Sequence, residues 1–371
     1  MRVLRICRTL PTNTTPGAGL NCYKCTEHSE FNSTILTKEN TSRVIGFSRL
    51  VPLHGFKYSD ITMSGSKVSK IHFVLVGLSK IWGELCCAVK LLPILVKERH
   101  DFIHVHSINF LMAGLVGKMI LNVPLALNLG GTDFYRAKNL VLYKFLLRKV
   151  DLILTVSGRI ADELLEITSS DRIVYTGNGF DQSVFQLKPQ FSREMRIVTV
   201  GNLRWQKNQE LLIHAFKKVN TQLPGAKLSI IGDGPDKEML VNLVSDLGLN
   251  DSICFHGTLD QSEISDLLNT SSVFCLSSKT EGFPKALLEA MACGLPCLST
   301  DVGDCKIVIG DAGAIVASDV ESYSSGLLKL LNEPISSLPN QKALARASVF
   351  SWDAVVNTTD RSYLSVIRNP V

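Results

Sequence analysis

The chain has 371 residues, of which 45% are apolar and 20% are charged. This length exceeds one ordinary α/β core and predicts two domains, and the apolar content excludes a disordered or low-complexity protein. The net charge is +5, but residues 1–190 carry nine more basic than acidic side chains, which leaves residues 191–371 at −4. A basic first half is typical either of a protein that binds an acidic partner or of an ordinary solvated surface.

Short apolar runs alternate with helical patterns through the first half of the chain. Strands are predicted at Val3–Cys7, Ser33–Thr37, Asp101–His106, Leu125–Leu129, Asp151–Val156 and Arg172–Tyr175. Helices are predicted at Ala113–Leu121, Asn139–Lys149 and Gly158–Glu166. The weakly charged stretch 102–132 contains Lys118 and several polar residues, so a buried β-α-β unit fits it better than a membrane span. This alternation predicts a parallel sheet with helical crossovers.

The same pattern restarts after a polar segment near residues 182–192. Strands are predicted at Met195–Val200, Lys227–Ile231, Ser252–His256, Ser272–Ser277 and Pro296–Ser299. Helices are predicted at Gln209–Val219, Glu238–Leu247, Glu263–Leu268 and Pro284–Cys293. Two successive doubly wound units predict an α/β protein whose two domains face a cleft, with ligands at the carboxyl ends of the strands.

The cysteines and the first residues of the chain indicate the cellular compartment in which we expect the protein. The ten cysteines do not form the dense framework of a small secreted domain, and five sit singly in apolar surroundings typical of reduced core thiols, namely Cys7, Cys254, Cys275, Cys293 and Cys297. Cys22 and Cys25 form a C-x-x-C near His28, and a metal site there is the alternative to two structural cysteines. The first residues are typical of a strand rather than a signal peptide, so we expect a cytoplasmic protein.

Two glutamates flank the start of a predicted helix. Glu281 lies in the loop before it, and Pro284 occupies what we predict to be the first helical position. The unpaired N–H groups of such a helix start form an anion site that suits a diphosphate. Glu289 is five residues into the helix, roughly 7–8 Å along its axis, which is about the distance from a pyrophosphate to a ribose. The glutamates can therefore contact ribose and sugar hydroxyls, or they are solvated helix charges.

The surrounding sequence favours the functional interpretation. Residues 277–313, with seven residues between the two glutamates, closely resemble the nucleotide-binding half of glycosyltransferase family 4. Other segments are similar to the family in the same order, namely 151–157, 177–181, 198–212, 230–235, 255–257 and 350–353. The resemblance implies the GT-B fold, with two Rossmann-like doubly wound domains. Residues 1–188 would bind the acceptor, residues 189–350 would bind the nucleotide sugar, and a C-terminal helix at 351–371 would cross back to the first domain.

The resemblance also implies roles for side chains in the second domain. Lys207 and Arg204 would hold the donor diphosphate and stabilise the leaving nucleotide, which makes both catalytic. Glu289 would hold the ribose, and Glu281 would contact the transferred sugar as a further catalytic residue. Two backbone contacts would lie beside Glu281, at Gly282 and Phe283.

Four further positions follow from the same resemblance. Gly17 and Gly19, in the first strand–helix loop, would bring bare backbone close to the phosphates. Gly257 would border the base pocket. His106, at the end of its strand, would face the cleft as a catalytic residue, with an ordinary structural histidine as the alternative.

Two positions depart from the family pattern. Asn202 stands where the family usually has arginine, and we predict that Arg204 replaces that side chain. Gly130 stands where many members have histidine. These departures bear on activity more than on membership.

The resemblance implies a retaining, metal-independent hexosyltransferase that uses a UDP- or GDP-sugar as co-substrate and needs no other cofactor. The acceptor would be a polysaccharide or glycolipid of cell-surface glycan biosynthesis, such as lipopolysaccharide, and no nucleic acid would bind. A UDP-sugar 2-epimerase is one alternative. A non-catalytic nucleotide-sugar-binding subunit is another, which Asn202 and Gly130 favour.

Residues 138–149 mix large apolar and basic side chains, including Lys144, Arg148 and Lys149. Such a surface can hold a protein peripherally on the anionic inner face of the cell membrane. At 100° per residue, however, the apolar side chains spread nearly all round the helix and leave no clean polar face. This spread favours an ordinary buried helix, with peripheral membrane binding as the alternative.

Overall fold

The computed structural model describes residues 1–7, 18–37, 49–52, 99–130, 134–135, 138, 140–333 and 339–368. The chain divides into two compact units, Met1–Gly177 with Val356–Val371, and Asn178–Val355. The division falls after Gly177 rather than near residue 188. The last helix is shared, because its first residues belong to the second unit and the remainder belongs to the first.

The first unit contains a parallel sheet of seven described strands. These strands are β1 (Arg2–Ile6), β2 (Asn32–Thr37), β3 (Arg49–Pro52), β4 (Phe102–Val105), β5 (Leu125–Leu129), β6 (Leu152–Thr155) and β7 (Ile173–Tyr175). Their order across the sheet is β3-β2-β1-β4-β5-β6-β7. The helices are α1 (Ala18–Glu27), α2 (Leu111–Leu121), α3 (Val141–Leu147) and α4 (Gly158–Leu164).

Strands β4 to β6 are almost wholly apolar because both faces of the sheet are covered. Alternate residues of each strand belong to different cores. Ile103, Leu125 and Leu127 join the core that includes α2. On the other face, a second core contains Val3, Phe102, Ala126 and Leu152, packed with Tyr363 and Val366 of the last helix. The C-terminal helix is therefore part of the first unit's core.

The second unit repeats this architecture with six described strands. The strands are β8 (Arg196–Val200), β9 (Lys227–Ile231), β10 (Ile253–Gly257), β11 (Val273–Leu276), β12 (Cys297–Thr300) and β13 (Gly313–Val316), in the order β10-β9-β8-β11-β12-β13. The helices are α5 (Gln209–Gln222), α6 (Lys237–Asp246), α7 (Gln261–Thr270), α8 (Lys285–Ala292), α9 (Cys305–Ile309), α10 (Val320–Leu331), α11 (Gln341–Ser348) and α12 (Trp352–Arg368), which continues into the first unit.

The two parallel sheets confirm the predicted pair of Rossmann-like doubly wound domains. The predicted strands and helices are present, and the weakly charged stretch 102–132 forms β4, α2 and β5. One cysteine expectation is wrong. Cys254 is exposed rather than buried, because β10 is an edge strand of its sheet. Among the described residues, no group of three His, Cys, Asp or Glu side chains is arranged to bind a metal ion.

None of the helices described here is both long enough and apolar enough to cross a membrane.

Candidate active site

Strand order explains why two distant loops of the second unit meet. The chain runs from β8 outward to β9 and β10, and then returns to the other side of β8 with β11, β12 and β13. The carboxyl ends of β8 and β11 therefore lie side by side, at the switch point where doubly wound sheets bind ligands. The loop after β8 carries Lys207, and the loop after β11 carries Glu281.

Lys207 and Glu281 form an ion pair at this switch point. The Nζ of Lys207 lies 2.6 Å from Oε1 of Glu281, and their side chains are 28% and 10% exposed. The stem of Lys207 passes over Gly201, where a Cβ would lie 3.6 Å from its Cε. Ser278 donates a second hydrogen bond to the same Oε1 at 2.6 Å. The pair is thus partly shielded from solvent but open on one side.

The start of α8 offers backbone donors next to this pair. Pro284 precedes the helix instead of occupying its first position, so that prediction is wrong by one residue. Among the described residues, no backbone carbonyl accepts a hydrogen bond from the N–H groups of Gly282, Phe283 or Ala286. Three N–H groups without a described backbone acceptor, in the loop and first turn that follow the partner of Lys207, form a site that suits a diphosphate.

Glu289 lies on the fifth residue of α8. Burial raises the pKa of its carboxyl, and the charge of Lys285 one turn earlier opposes that shift without cancelling it. Burial likewise lowers the pKa of Lys285, whose Nζ lies 5.7 Å from the ring centroid of Trp352. Burial deprives this carboxylate of hydrogen bonds to water. It is therefore suited to accept hydrogen bonds from ribose hydroxyls, which would replace them.

Glycines let the loops around the site pack backbone against backbone. A Cβ on Gly232, which has φ +132°, would lie 2.1 Å from the carbonyl oxygen of Gly201. A Cβ on Gly303, which has φ +51°, would lie 2.6 Å from the carbonyl oxygens of Glu281 and Gly282. Both positions require the conformations and the space that only glycine allows. The loops of Lys207 and Glu281 are therefore each supported by a neighbouring loop.

The remaining predicted residues of the second unit lie in the loop of Lys207, directly after Glu281 in the sequence, and at the end of β10. The side chains of Asn202 and Arg204 are exposed in the loop that carries Lys207, and the N–H of Lys207 donates to the carbonyl of Arg204 at 2.8 Å. The ring of Phe283 packs against that of Phe350, with 5.7 Å between the two ring centroids. Gly257 ends β10 with φ +69°, and its carbonyl accepts a hydrogen bond from Gly232.

In the first unit, His106 follows β4 beside the switch point between β1 and β4. His106 is 1% exposed, and the centroid of its ring lies 3.8 Å from that of His104, with the two rings tilted by 35°. A catalytic role for His106 stays a prediction. Gly17 lies outside the described residues, and Gly19 is the second described residue of α1 rather than a loop residue. Gly130 directly follows β5.

Sequence reasoning assigned no role to Ser278, although its hydroxyl contacts Glu281 directly. It also gave no reason for glycine at position 303, whose backbone touches the loop of Glu281. A serine three residues before the glutamate, at a strand end, was the available signal. Which of the serines near the end of β11 faces the carboxylate depends on the fold of the loop.

Comparisons with known proteins show which proteins the chain is similar to. A model described as Glycosyltransferase Family 4 matches residues 62–184, and one described as Glycosyl transferases group 1 matches residues 183–347. N-acetyl-alpha-D-glucosaminyl L-malate synthase of Bacillus anthracis is 29% identical over 311 residues, which cover 77% of this chain and 80% of that protein. Glycogen synthase of Mycobacterium tuberculosis is 24% identical, over 73% of this chain and 70% of its own length.

Solved structures are similar to this chain in fold over nearly its whole length. Anabaena HepE, crystallised with UDP and glucose, matches with a TM-score of 0.69 over 98% of this chain and 100% of that chain. The two sequences are 16% identical, so this match bears on the fold alone.

Proposed function

Because the chain belongs to glycosyltransferase family 4, we propose that it is a retaining transferase that moves a sugar from a UDP- or GDP-linked donor to a polysaccharide or glycolipid of cell-surface glycan biosynthesis. The observation that carries this proposal is the 2.6 Å pair of Lys207 and Glu281 at the switch point of the second unit. A cation suited to a diphosphate and a carboxylate suited to sugar hydroxyls lie together there, and no described backbone carbonyl accepts from the N–H groups of Gly282 and Phe283 that follow.

In the proposed reaction, the donor diphosphate lies on the N–H groups at the start of α8. Lys207 turns from Glu281 to the phosphate oxygens, and its charge stabilises the nucleoside diphosphate that leaves as the glycosidic bond breaks. Glu281 accepts a hydrogen bond from a hydroxyl of the transferred sugar, while Glu289 accepts the ribose hydroxyls. Lys207 and Arg204 supply positive charge without a bound metal, so we expect turnover to survive EDTA.

One assay separates this proposal from the two alternatives. The protein is incubated with UDP-glucose, UDP-N-acetylglucosamine or GDP-mannose, with and without a lipid-linked acceptor pool, and free nucleoside diphosphate is measured. The malate synthase relative motivates the N-acetylglucosamine donor, and the ligands of HepE motivate the glucose donor. A transferase releases diphosphate only with acceptor. An epimerase releases it without acceptor or interconverts two nucleotide sugars, and a binding subunit binds a donor but releases nothing.

We further propose that the first unit docks on an anionic membrane surface through an exposed apolar patch. The preference for a buried helix at residues 139–149 is wrong, because α3 is short and exposes Val141 (84%), Leu142 (44%) and Phe145 (56%). Met119, at the end of α2, is 81% exposed. The C-terminal end of α2 lies next to the residues that follow α3, since Nζ of Lys118 donates to the carbonyl of Lys149 at 3.0 Å.

Basic side chains border this apolar patch. Lys144, Arg148 and Lys149 are exposed, and Nζ of Lys149 lies 5.5 Å from the ring centroid of Phe145. Apolar residues bordered by cations match the chemistry of an anionic bilayer surface, where each basic group contributes roughly 1 kcal/mol. This arrangement supports a membrane-bound acceptor for the proposed transfer.

Sedimentation with liposomes tests the membrane proposal. We expect the protein to pellet with phosphatidylglycerol vesicles at low salt and much less with phosphatidylcholine vesicles. A Val141→Ser, Phe145→Ser double variant should lose most of this binding. Val349→Ser is the matched control, because Val349 is an exposed valine (55%) of the second unit. Absence of sedimentation with anionic vesicles at low salt would contradict the proposal.

A further inference from the structure

The two oxygens of the Glu281 carboxylate have different surroundings. Lys207 and Ser278 both donate to Oε1, each at 2.6 Å. Within the described part of the chain, Oε2 accepts no hydrogen bond. A carboxylate oxygen has lone pairs for further donors, so Oε2 is the oxygen that remains for a hydroxyl of the substrate.

The backbone and side chain of Ser278 are fixed by burial and by a hydrogen bond from the neighbouring strand. It lies two residues beyond the end of β11 and is fully buried. Its carbonyl accepts a hydrogen bond of 2.6 Å from Oγ1 of Thr300, which is the last residue of the neighbouring strand β12 and is also buried. The hydroxyl of Ser278 has a single proton to donate, and it donates that proton to Glu281.

Lys207 cannot serve as the permanent partner of Glu281 if it also binds the diphosphate. Its ammonium is a compact charge on a flexible stem, and phosphate oxygens compete for it. Once it turns to the phosphates, Ser278 is the donor that continues to hold Oε1. The serine hydroxyl is neutral, fixed and fully buried, so it keeps the orientation of the carboxylate without neutralising its charge.

We propose that Ser278 is a positioning residue for the transfer reaction. It fixes Glu281 through Oε1 and thereby presents Oε2 to a hydroxyl of the transferred sugar. This inference rests on the proposed function, because it assumes that Glu281 contacts the sugar. Ser278 acts through Glu281 and does not itself contact the substrate.

Truncation of the hydroxyl is the first test. Ser278→Ala should lower kcat/KM for the nucleotide sugar about ten- to hundredfold, the range expected for one hydrogen bond to a charged group. Its affinity for the free diphosphate, UDP or GDP, should stay within about twofold of the wild type, because the diphosphate lacks the sugar. Ser299→Ala is the matched control, since Ser299 is equally buried but donates to the carbonyl of Thr300. That control should keep wild-type turnover.

A double-mutant cycle distinguishes positioning from a merely structural role. In a Glu281→Ala background, Ser278→Ala should cause no further loss of affinity for UDP-glucose, UDP-N-acetylglucosamine or GDP-mannose, whichever the wild type binds. A structural role would instead lower the affinity for UDP or GDP and the Tm in both backgrounds. If Ser278→Ala does not fold, Ser278→Cys keeps the size with a weaker donor and should give an intermediate turnover.

The outcomes separate the two proposals. Wild-type turnover in Ser278→Ala, or an additive loss in the Glu281→Ala background, overturns the role of Ser278 and leaves the transferase proposal intact. Failure of the wild type to bind any of the three nucleotide sugars or either diphosphate overturns the proposed function and, with it, this inference.

Discussion

At the scale of single residues, burial of Glu289 makes its charged carboxylate unfavourable in the folded protein. Its raised pKa means that burial disfavours the charged carboxylate in the folded protein. This penalty on stability is present at neutral pH and disappears as pH falls below the pKa of the unfolded chain, about 4.3. Glu289→Gln should therefore raise the Tm at pH 7, and its advantage over the wild type should shrink towards pH 4.

The same variant should weaken nucleotide binding. Loss of a charged acceptor for ribose hydroxyls is worth about 1–3 kcal/mol, which calorimetry with UDP or GDP measures. Glu166→Gln is the control, because Glu166 is exposed in the first unit and the substitution should change neither the Tm profile nor the affinity. Equal nucleotide affinity in Glu289→Gln and wild type would rule out the ribose role.

Arg204 is the residue that we expect to replace the arginine absent at position 202. Both side chains are exposed on the loop of Lys207 and so are free to reach a diphosphate. Arg204→Ala should reduce donor turnover on the order of a hundredfold, as for other contacts to developing charge. Adding Asn202→Arg to that variant should restore part of the loss. Normal turnover in Arg204→Ala would mean that Lys207 and the backbone suffice.

At the scale of elements, close packing of the loops after β8 and β9 shapes the site. Gly232→Ala would place a Cβ 2.1 Å from the carbonyl oxygen of Gly201 at a φ of +132°. We expect a loss of about 2–4 kcal/mol in the free energy of unfolding and weaker diphosphate binding, since the loop of Lys207 must shift. Denaturant unfolding measures the first effect and calorimetry the second.

Gly225→Ala is the matched control for this prediction. A Cβ at Gly225 meets no atom within 4 Å, and its φ lies outside the left-handed region. The substitution should leave both stability and binding within experimental error. Equal behaviour of the two alanine variants would contradict the account of the packed loops.

The bounds of strands and helices were predicted best where apolar residues form a clear run or repeat in the sequence. The buried strands β5 (Leu125–Leu129) and β9 (Lys227–Ile231) have the predicted bounds, because each is a mainly apolar run followed directly by a glycine. Helix α1 (Ala18–Glu27) was not predicted, since its sequence lacks an apolar stripe and tertiary packing of Cys22 and Cys25 stabilises it. Exposure of α3 was also missed, because an apolar helix does not reveal which side meets its neighbours.

The candidate site was predictable in part. The spacing of Glu281 and Glu289 predicted a site at the start of α8, and the family resemblance added Lys207 and Arg204 in the loop after β8. The pairing of Lys207 with Glu281 was not predicted. The contact of Ser278 with Glu281 was not predictable, because it depends on the side-chain conformations in one loop. For the same reason, the sequence alone could not show that both donors share Oε1.

At the scale of the whole molecule, the two units differ in chemistry. The first unit contains most of the basic excess and the exposed apolar patch, whereas the second contains the paired Lys207 and Glu281. We expect such a division in the proposed enzyme, whose donor would be a small anionic nucleotide and whose acceptor would be bound to a membrane.

Transfer of a labelled sugar tests the central claim most directly. The wild-type protein and Glu281→Gln are each incubated with radiolabelled UDP-glucose, UDP-N-acetylglucosamine or GDP-mannose and a lipid-linked acceptor pool, and label in the lipid fraction is counted. We expect the wild type to transfer label from one donor. Glu281→Gln should fold, bind the free diphosphate and transfer at least a hundredfold less. Near-normal transfer by Glu281→Gln, or no transfer by the wild type from any of these donors, would contradict the account.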